Sequence, residues 1–306
     1  MFKRKNILPF CLYLLIFLSL MVIASIFDFE ISKILTSSSL NVGKYYSSSL
    51  IGSIIEIIGS FPIFIALLFA CLIQGKNFYK RKDKSKYIAL IFVIASIIDL
   101  TWFIKDTFKY AANIYGFKNI YELDFMMLIY IGLATILSLL AHFLYSKVSL
   151  KRNDELKIFS YVIFASCSFH ILIELIKGPI GRMRYRGMNA INDFSYFTPW
   201  YAISSAKELI TSSIIPSDAF KSFPSGHTHA AGISYLLICL PDIFEKLNNK
   251  KCRILCYIIP IFYTGLVAFY RIEVGAHFMS DVVVGGTLAF TTVSIFRYVF
   301  ILRKKN

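Results

Sequence analysis

The sequence predicts an all-α polytopic membrane protein with about eight transmembrane helices. Of its 306 residues, 57% are apolar and only 17% are charged, whereas soluble proteins average about 45–50% and about 25%. Eight apolar runs are long enough, or nearly so, to cross a bilayer, which requires about 20 residues. These observations exclude a disordered chain and argue against an ordinary soluble domain.

The eight predicted spans follow one another along the chain. The first is longer than the apolar core of a signal peptide, and no small-residue cleavage site follows it, so we interpret it as a retained anchor. The sixth has a short purely apolar stretch, and we expect it to continue into Pro241–Leu247. The spans are 7–27, 50–74, 87–104, 125–146, 158–176, 225–241, 254–270 and 278–301.

Lysine and arginine are distributed unevenly between the connecting segments. One side of the predicted topology contains 20 of them and the other side contains 12. Because cytoplasmic loops carry the excess of positive charge, we expect both termini in the cytoplasm. This topology also explains the net charge of +15, so we do not expect nucleic acid as a partner. The outer segments are then 28–49, 105–124, 177–224 and 271–277.

The longest outer connection contains a helix-start signal. Thr198-Pro199-Trp200 has a threonine suited to the N-cap and a proline suited to the first turn, and Ile203 and Ile210 follow at helical spacing. Tryptophan also favours the headgroup layer of a membrane. We therefore predict a short helix here that lies on the outer membrane surface.

Three polar clusters lie at the outer ends of the last four predicted spans, in residues 177–186, 223–227 and 271–281. The topology brings all three to one face of the membrane. Their arginine and lysine side chains suit phosphate oxygens. The second cluster opens a predicted helix, whose unpaired N–H groups also favour an anion. A phosphate is therefore the ligand that this face is expected to bind.

Two histidines in these clusters suit covalent phosphoryl transfer. His277 and Asp281 are four residues apart and share one face of a predicted helix, so the aspartate can hold one ring nitrogen as N–H and leave the other as nucleophile or base. His227 is available to protonate a leaving oxygen and then to activate water. Taken alone, such residues are more often membrane anchors or local structural contacts, but their ordered occurrence at one face favours chemistry.

The clusters resemble the three signatures of the type 2 phosphatidic-acid phosphatase superfamily, which comprises membrane lipid phosphatases and is related to vanadium haloperoxidases. Those signatures read K-x6-R-P, P-S-G-H and S-R-x5-H-x3-D. The matching residues are Lys177 and Arg184, then Pro224-Ser225-Gly226-His227, then Arg271, His277 and Asp281. Tyr185 and Tyr270 depart from the pattern, and we expect them to affect fine geometry and substrate choice rather than the reaction.

The resemblance, which covers about 177–281 with the flanking spans, implies an architecture and residue roles. We expect one membrane domain, 1–306, in which 125–306 form a six-helix phosphatase-like core and 1–124 add spans of unknown role. His277 would form a phosphohistidine, Asp281 would orient it, and His227 would be general acid and then base. The phosphate would be held by Lys177, Arg184, Ser225, Gly226 and Arg271.

These inferences predict an integral-membrane lipid phosphatase that acts at the outer face and needs no metal or cofactor. No carboxylate cluster suits a two-metal site, and the six cysteines lack metal-ligand spacing with histidine. Candidate substrates are undecaprenyl diphosphate, phosphatidic acid, phosphatidylglycerol phosphate and a lipid A phosphate. Two alternatives stay open, a phosphotransferase using the same phosphohistidine and a non-catalytic lipid-binding or transport protein. For Arg182 and Arg186, a second phosphate and anionic lipid headgroups are equally open as partners.

Overall fold

The computed structural model describes residues 7–81, 84–115, 123–148, 152–209 and 215–303. Within these ranges the chain is helical and has no β-strand, which confirms the predicted all-α class. Seven helical segments are long and apolar enough to cross a membrane, so the chain is a polytopic membrane protein. Several basic residues counted for the topology lie outside the described ranges, as does Ile210 of the predicted surface helix. These basic residues are Lys3, Arg4, Lys5, Lys82, Lys118, Lys151, Lys304 and Lys305.

Twelve α-helices occur in the described residues. They are α1 Ile7–Thr36, α2 Leu50–Ile58, α3 Phe61–Tyr79, α4 Ile88–Tyr115, α5 Asp124–Lys147, α6 Asn153–Ile180, α7 Tyr185–Ile191, α8 Ala206–Leu209, α9 Gly226–Gly232, α10 Leu240–Ile243, α11 Lys250–Glu273 and α12 Met279–Arg297. Short 3₁₀ segments cover Lys84–Tyr87, Ser217–Phe220, Ile233–Cys239 and Glu245–Leu247, and Tyr298–Leu302 is π-helical.

The sixth predicted span, 225–241, is not one long helix. It consists of α9, the 3₁₀ segment Ile233–Cys239 and α10 in succession, so seven rather than eight long apolar helical segments are described. Gly232 is a weak helix former, and Pro241 has no N–H with which to continue an i→i−4 ladder. Those two residues mark the ends of the irregular stretch.

The second predicted span, 50–74, extends further than predicted and is interrupted. α2 ends at Ile58 and α3 begins at Phe61. Pro62 lies in the first turn of α3, where the missing N–H leaves no hydrogen bond unmade. The glycine and serine between the helices, Gly59 and Ser60, therefore form the break.

The described chain divides into two compact units. The first unit comprises Met1–Gly52, Ile171–His229 and Gly265–Leu288. Its buried apolar core includes Met188 and Phe278. All three signature clusters belong to this unit.

The second unit comprises Ser53–His170, Ala230–Thr264 and Ala289–Asn306. Its own core includes Val162 and Ile233. Both units draw on N-terminal as well as C-terminal segments, and the boundary expected between residues 124 and 125 stays a prediction.

Candidate active site

Backbone hydrogen bonds join the three signature clusters within the first unit. The Ser225 N–H donates to the carbonyl oxygen of Asp281 (3.0 Å), which connects the second cluster to the third. The Arg186 N–H donates to the carbonyl oxygen of Gly275 (2.8 Å), which connects the first cluster to the third. The residues expected to share one membrane face therefore lie together in space.

Two glycine turns position the ends of the helices that carry the clusters. α6 ends after Lys177, where Gly181 has a φ of 64° and its N–H donates to the Lys177 carbonyl (3.0 Å). α11 ends after Arg271, where Gly275 has a φ of 66° and the His277 N–H donates to the Arg271 carbonyl (3.1 Å). Only glycine adopts this left-handed conformation without strain.

His277 is buried and is held through a backbone carbonyl. Its Nδ1 lies 2.6 Å from the carbonyl oxygen of Ser222. Because a carbonyl oxygen only accepts hydrogen bonds, Nδ1 carries the proton in this arrangement and Nε2 keeps its lone pair. The nearest oxygen of Asp281 is 3.6 Å from Nδ1, which is too far for a direct hydrogen bond.

Asp281 reaches His277 indirectly, through Ser222. The Ser222 hydroxyl donates to Asp281 Oδ2 (2.5 Å), while the carbonyl of the same serine accepts the hydrogen bond from Nδ1 of His277. Asp281 Oδ2 also accepts from the Phe278 N–H (2.8 Å). Sequence reasoning did not identify Ser222, because nothing in the local pattern distinguishes it from other serines of the segment.

Arg182 is fully buried, and its guanidinium is committed to protein partners. Nη1 donates to Asp281 Oδ1 (2.5 Å) and Nη2 donates to Asp28 Oδ2 (2.9 Å). Nε donates to the Thr198 carbonyl (2.8 Å), and the guanidinium carbon lies 4.2 Å from the centre of the Phe278 ring. The sequence left a second phosphate and lipid headgroups open as partners of Arg182, and the contacts described for it are with protein groups.

Asp28 is a second residue that sequence reasoning missed. The first predicted span ended at residue 27, which placed Asp28 in an outer loop, but α1 continues to Thr36. Asp28 is therefore a nearly buried carboxylate on a membrane-compatible helix. Ionisable groups in such positions are costly unless they are paired and are commonly functional, which is the signal that a longer span would have provided.

The three candidate phosphate-binding cations are buried, and ion pairs with carboxylates are described for Lys177 and Arg184. Lys177 pairs with Glu174 one turn earlier on α6. Arg184 donates from Nη1 to Asp218 Oδ2 (2.8 Å). Arg271 is 1% exposed. These contacts hold long, flexible side chains in place, which lowers the entropy lost when a ligand binds.

The positive charges of these cations act on His277. Burial, followed by the charges of Arg271, Arg184 and Lys177, lowers the pKa of His277 well below 6.5. The three cations, which come from two separate clusters, are therefore close enough to this ring to favour its neutral form.

Close packing brings the second cluster against α12. A Cβ atom built on Gly285 would lie 2.4 Å from the carbonyl oxygen of Ser225 and 3.4 Å from the amide nitrogen of His229. Only a residue without a side chain allows this approach. Ser225 in turn caps the start of α9, because its hydroxyl lies 3.3 Å from the Thr228 amide nitrogen.

The prediction of a helix that begins at Thr198-Pro199 is wrong. Residues 198–205 form turns and irregular backbone, and the short helix α8 begins only at Ala206. The backbone groups there have other partners. Arg182 Nε donates to the Thr198 carbonyl oxygen, and the Ser204 N–H donates to the Ile180 carbonyl oxygen (2.9 Å).

Trp200 nevertheless lies beside the second cluster. Its ring stacks on Phe223, with centroids 6.1 Å apart, and its Nε1 donates to the Ser25 hydroxyl (2.9 Å). Two apolar residues further along this loop, Tyr201 and Ile203, are 68% and 80% exposed. The site therefore has an aromatic border with an apolar surface beside it.

Comparison with known proteins supports the resemblance. Residues 187–305 match the family described as the PAP2 superfamily, which confirms the relation to type 2 phosphatidic-acid phosphatases. No curated protein and no solved structure matches the chain. Members of this superfamily are generally phosphatases, so the match and the seven apolar helices support a membrane phosphatase-type hydrolase. Among the described residues, no group of three histidine, cysteine or acidic side chains is arranged to hold a metal ion.

Proposed function

We propose that this PAP2 superfamily protein is a lipid phosphatase that hydrolyses a phosphomonoester or diphosphate at the outer membrane face through a phosphohistidine on His277. The observation that carries the proposal is the 2.6 Å contact from His277 Nδ1 to the Ser222 carbonyl, in a ring influenced by Lys177, Arg184 and Arg271. Such a histidine has a nucleophilic Nε2 next to charges that attract phosphate.

In the first step, the Nε2 lone pair of His277 attacks phosphorus, and the bond between phosphorus and the ester oxygen breaks. His227 gives a proton to the leaving oxygen, so the lipid alcohol departs neutral. Arg271, Arg184 and Lys177 stabilise the charge on the non-bridging oxygens in the transition state. Ser225 and Gly226, at the start of α9, complete the phosphate-binding surface.

The phosphorylated ring of His277 keeps its proton on Nδ1 and is positively charged. The Ser222 carbonyl and the Asp281 carboxylate, 3.6 Å from Nδ1, stabilise that charge. In the second step, His227 takes a proton from water, the resulting oxygen attacks phosphorus, and the phosphorus–nitrogen bond breaks. Inorganic phosphate leaves and His277 regains its lone pair.

The outer location is supported by the charge distribution and by the length of the segment 226–243. Seven long spans alone would leave the termini on opposite faces. The α-helical and 3₁₀ residues of 226–243 rise about 1.5 Å and 2.0 Å each, which gives roughly 30 Å, the thickness of a hydrocarbon core. A crossing by this segment keeps both termini inside and the three clusters outside.

A lipid substrate is supported by the border of the site. Trp200 stacks on Phe223 next to the second cluster, and Tyr201 and Ile203 are exposed beside it. Aromatic side chains favour the headgroup layer. A headgroup phosphate can reach the cations there while its acyl chains stay in the bilayer.

Phosphate release by the purified protein tests the proposal directly. The panel comprises the four candidate lipid phosphates named above and p-nitrophenyl phosphate as a soluble ester. We expect kcat/KM to be higher for at least one lipid than for the soluble ester. Transfer of phosphate to an added alcohol without release would indicate the phosphotransferase. If the protein catalyses neither release nor transfer, that result contradicts an enzymatic role.

Trapping of the phosphoenzyme tests the assigned residues. His277→Ala should abolish both turnover and labelling by a ³²P substrate under alkaline quenching, whereas the control His170→Ala, in the second unit, should keep both. His227→Ala should still label with p-nitrophenyl phosphate, because that leaving group needs little protonation. Turnover by His277→Ala above a few per cent of wild type would refute its role as the nucleophile.

A further inference from the structure

The first helix contributes a buried carboxylate to the network around Asp281. Asp28 lies on α1, outside the residues that match the superfamily, and is 3% exposed. Its Oδ1 accepts from the Ser280 N–H (2.8 Å), and its Oδ2 accepts from Arg182 Nη2 (2.9 Å) and from the Ser280 hydroxyl.

The contact with Ser280 fixes the start of α12. Ser280 is the second residue of that helix, and N–H groups in the first turn have no partner within their own helix. A carboxylate accepts this hydrogen bond and is also favoured by the positive end of the helix dipole. Asp28 thus supplies from α1 what an N-cap residue ordinarily supplies, three residues after His277.

The contact with Arg182 fixes one side of its guanidinium. The other side donates to Asp281 Oδ1 (2.5 Å), and the second oxygen of Asp281 receives the Ser222 hydroxyl. The carbonyl of Ser222 in turn accepts a hydrogen bond from Nδ1 of His277. A continuous chain of hydrogen bonds therefore runs from α1 to the proposed nucleophile.

We propose that Asp28 is a positioning residue for His277 and Asp281, acting through Arg182 and Ser280, and that the first helix is thereby part of the catalytic apparatus. This inference rests on the proposed function. Asp28 touches neither histidine, and none of its described contacts involves Lys177 or Arg271. Its removal should therefore disturb the nucleophile more than the binding of phosphate.

Asp28→Asn keeps the size of the side chain but removes the charge that Arg182 contacts. We expect kcat to fall at least about tenfold with KM changed less than about threefold, since small displacements of reacting groups cost rate rather than affinity. Ser32→Ala is the matched control, because Ser32 is buried one turn further along α1 and its hydroxyl makes no described hydrogen bond. A kcat for Asp28→Asn within about twofold of wild type, or a loss confined to KM, would overturn the proposal.

Nitrogen-15 NMR of the detergent-solubilised full chain, labelled at its five histidines, gives a readout independent of turnover. The His277 signal, identified by its loss in His277→Gln, should report the Nδ1–H form in wild type and in Ser32→Ala and should shift in Asp28→Asn. An unchanged signal in Asp28→Asn would overturn the proposal even if activity were lost.

Two further outcomes are distinguishable. If Asp28→Asn does not fold, Ser280→Ala removes the hydroxyl shared by Asp28 and Arg182 and should show the same fall in kcat with KM retained. Unchanged kcat in a folded Ser280→Ala would then count against the coupling. If wild type hydrolyses no lipid phosphate, the proposed function fails, and the His277 signal alone decides whether Asp28 positions that ring.

Discussion

Replacing Gly285 by alanine tests whether close packing of α12 against the second cluster is needed for catalysis. The added Cβ atom would lie 2.4 Å from the Ser225 carbonyl oxygen, where an ordinary contact begins near 3.4 Å. Both atoms are tied to backbone, so no side chain can rotate away. The two segments must therefore separate by about 1 Å.

That separation acts on the hydrogen bond from the Ser225 N–H to the Asp281 carbonyl, which is 3.0 Å long. Lengthened by about 1 Å, it would no longer be a hydrogen bond, and His227 would move with the start of α9 relative to His277. A misplacement of 1 Å costs roughly a hundredfold in rate. Alanine stabilises a helix by about 1 kcal/mol relative to glycine. Overpacking costs about 1–3 kcal/mol, so the gain in helix propensity does not exceed the cost.

Steady-state assays and thermal unfolding of Gly285→Ala measure these effects. We expect kcat/KM to fall roughly a hundredfold for the best lipid substrate, with a lower Tm. Gly265→Ala is the matched control, since Gly265 lies in α11 and has no atom within 4 Å of an added Cβ. The reasoning is refuted if Gly285→Ala keeps kcat/KM within threefold of wild type, or if Gly265→Ala is equally impaired.

Three further predictions concern protonation, metals and topology. Burial and the charge of Arg271 hold the pKa of His277 below 6.5 in the folded chain, so the unfolded chain binds a proton first and the Tm should fall from about pH 7 to pH 5; His277→Gln should lessen that fall, and an unchanged slope would contradict it. Activity should survive EDTA, because protein cations hold the phosphate, and vanadate should inhibit as a mimic of five-coordinate phosphorus; a strict Mg²⁺ requirement would count against this mechanism. In a cysteine-free background, an impermeant thiol reagent applied to intact cells should label Ser195→Cys but not Lys250→Cys, and the opposite pattern would reverse the orientation.

The long apolar helices could be predicted from the sequence because membrane insertion depends on the local density of apolar residues. The all-α class and seven of the eight predicted spans are described as long apolar segments. The sixth differs because Gly232 and Pro241 interrupt helical hydrogen bonding, although the surrounding residues remain apolar. Hydropathy reports the environment of a segment, not the regularity of its backbone.

The candidate site residues could also be selected from the sequence, because their spacing is a property of short segments. Lys177 and Arg184, the residues around His227, and Arg271 with His277 form three compact patterns. The structure brings them together in one unit. Their chemical roles stay proposals that the trapping experiments test.

Only the tertiary structure decided how His277 and Arg182 are held. The resemblance implied that Asp281 orients His277, and the spacing of four residues left open whether the two bond. In the structure the Ser222 carbonyl accepts the hydrogen bond from Nδ1 of His277, and Asp281 lies at 3.6 Å. Arg182 donates to Asp28 and Asp281. Spacing establishes which residues share a helix face, whereas the choice of partner depends on groups from distant parts of the chain.

The helices, their apolar character and the choice of candidate site residues therefore followed from the sequence by itself, since each depends on residues a few positions apart. The contacts of Asp28 and Gly285 were decided by the tertiary structure. Asp28 is 252 residues from Ser280, which it contacts, and Gly285 is needed because a backbone 60 residues away approaches it. No local pattern encodes such distances, because they arise only when separate helices pack.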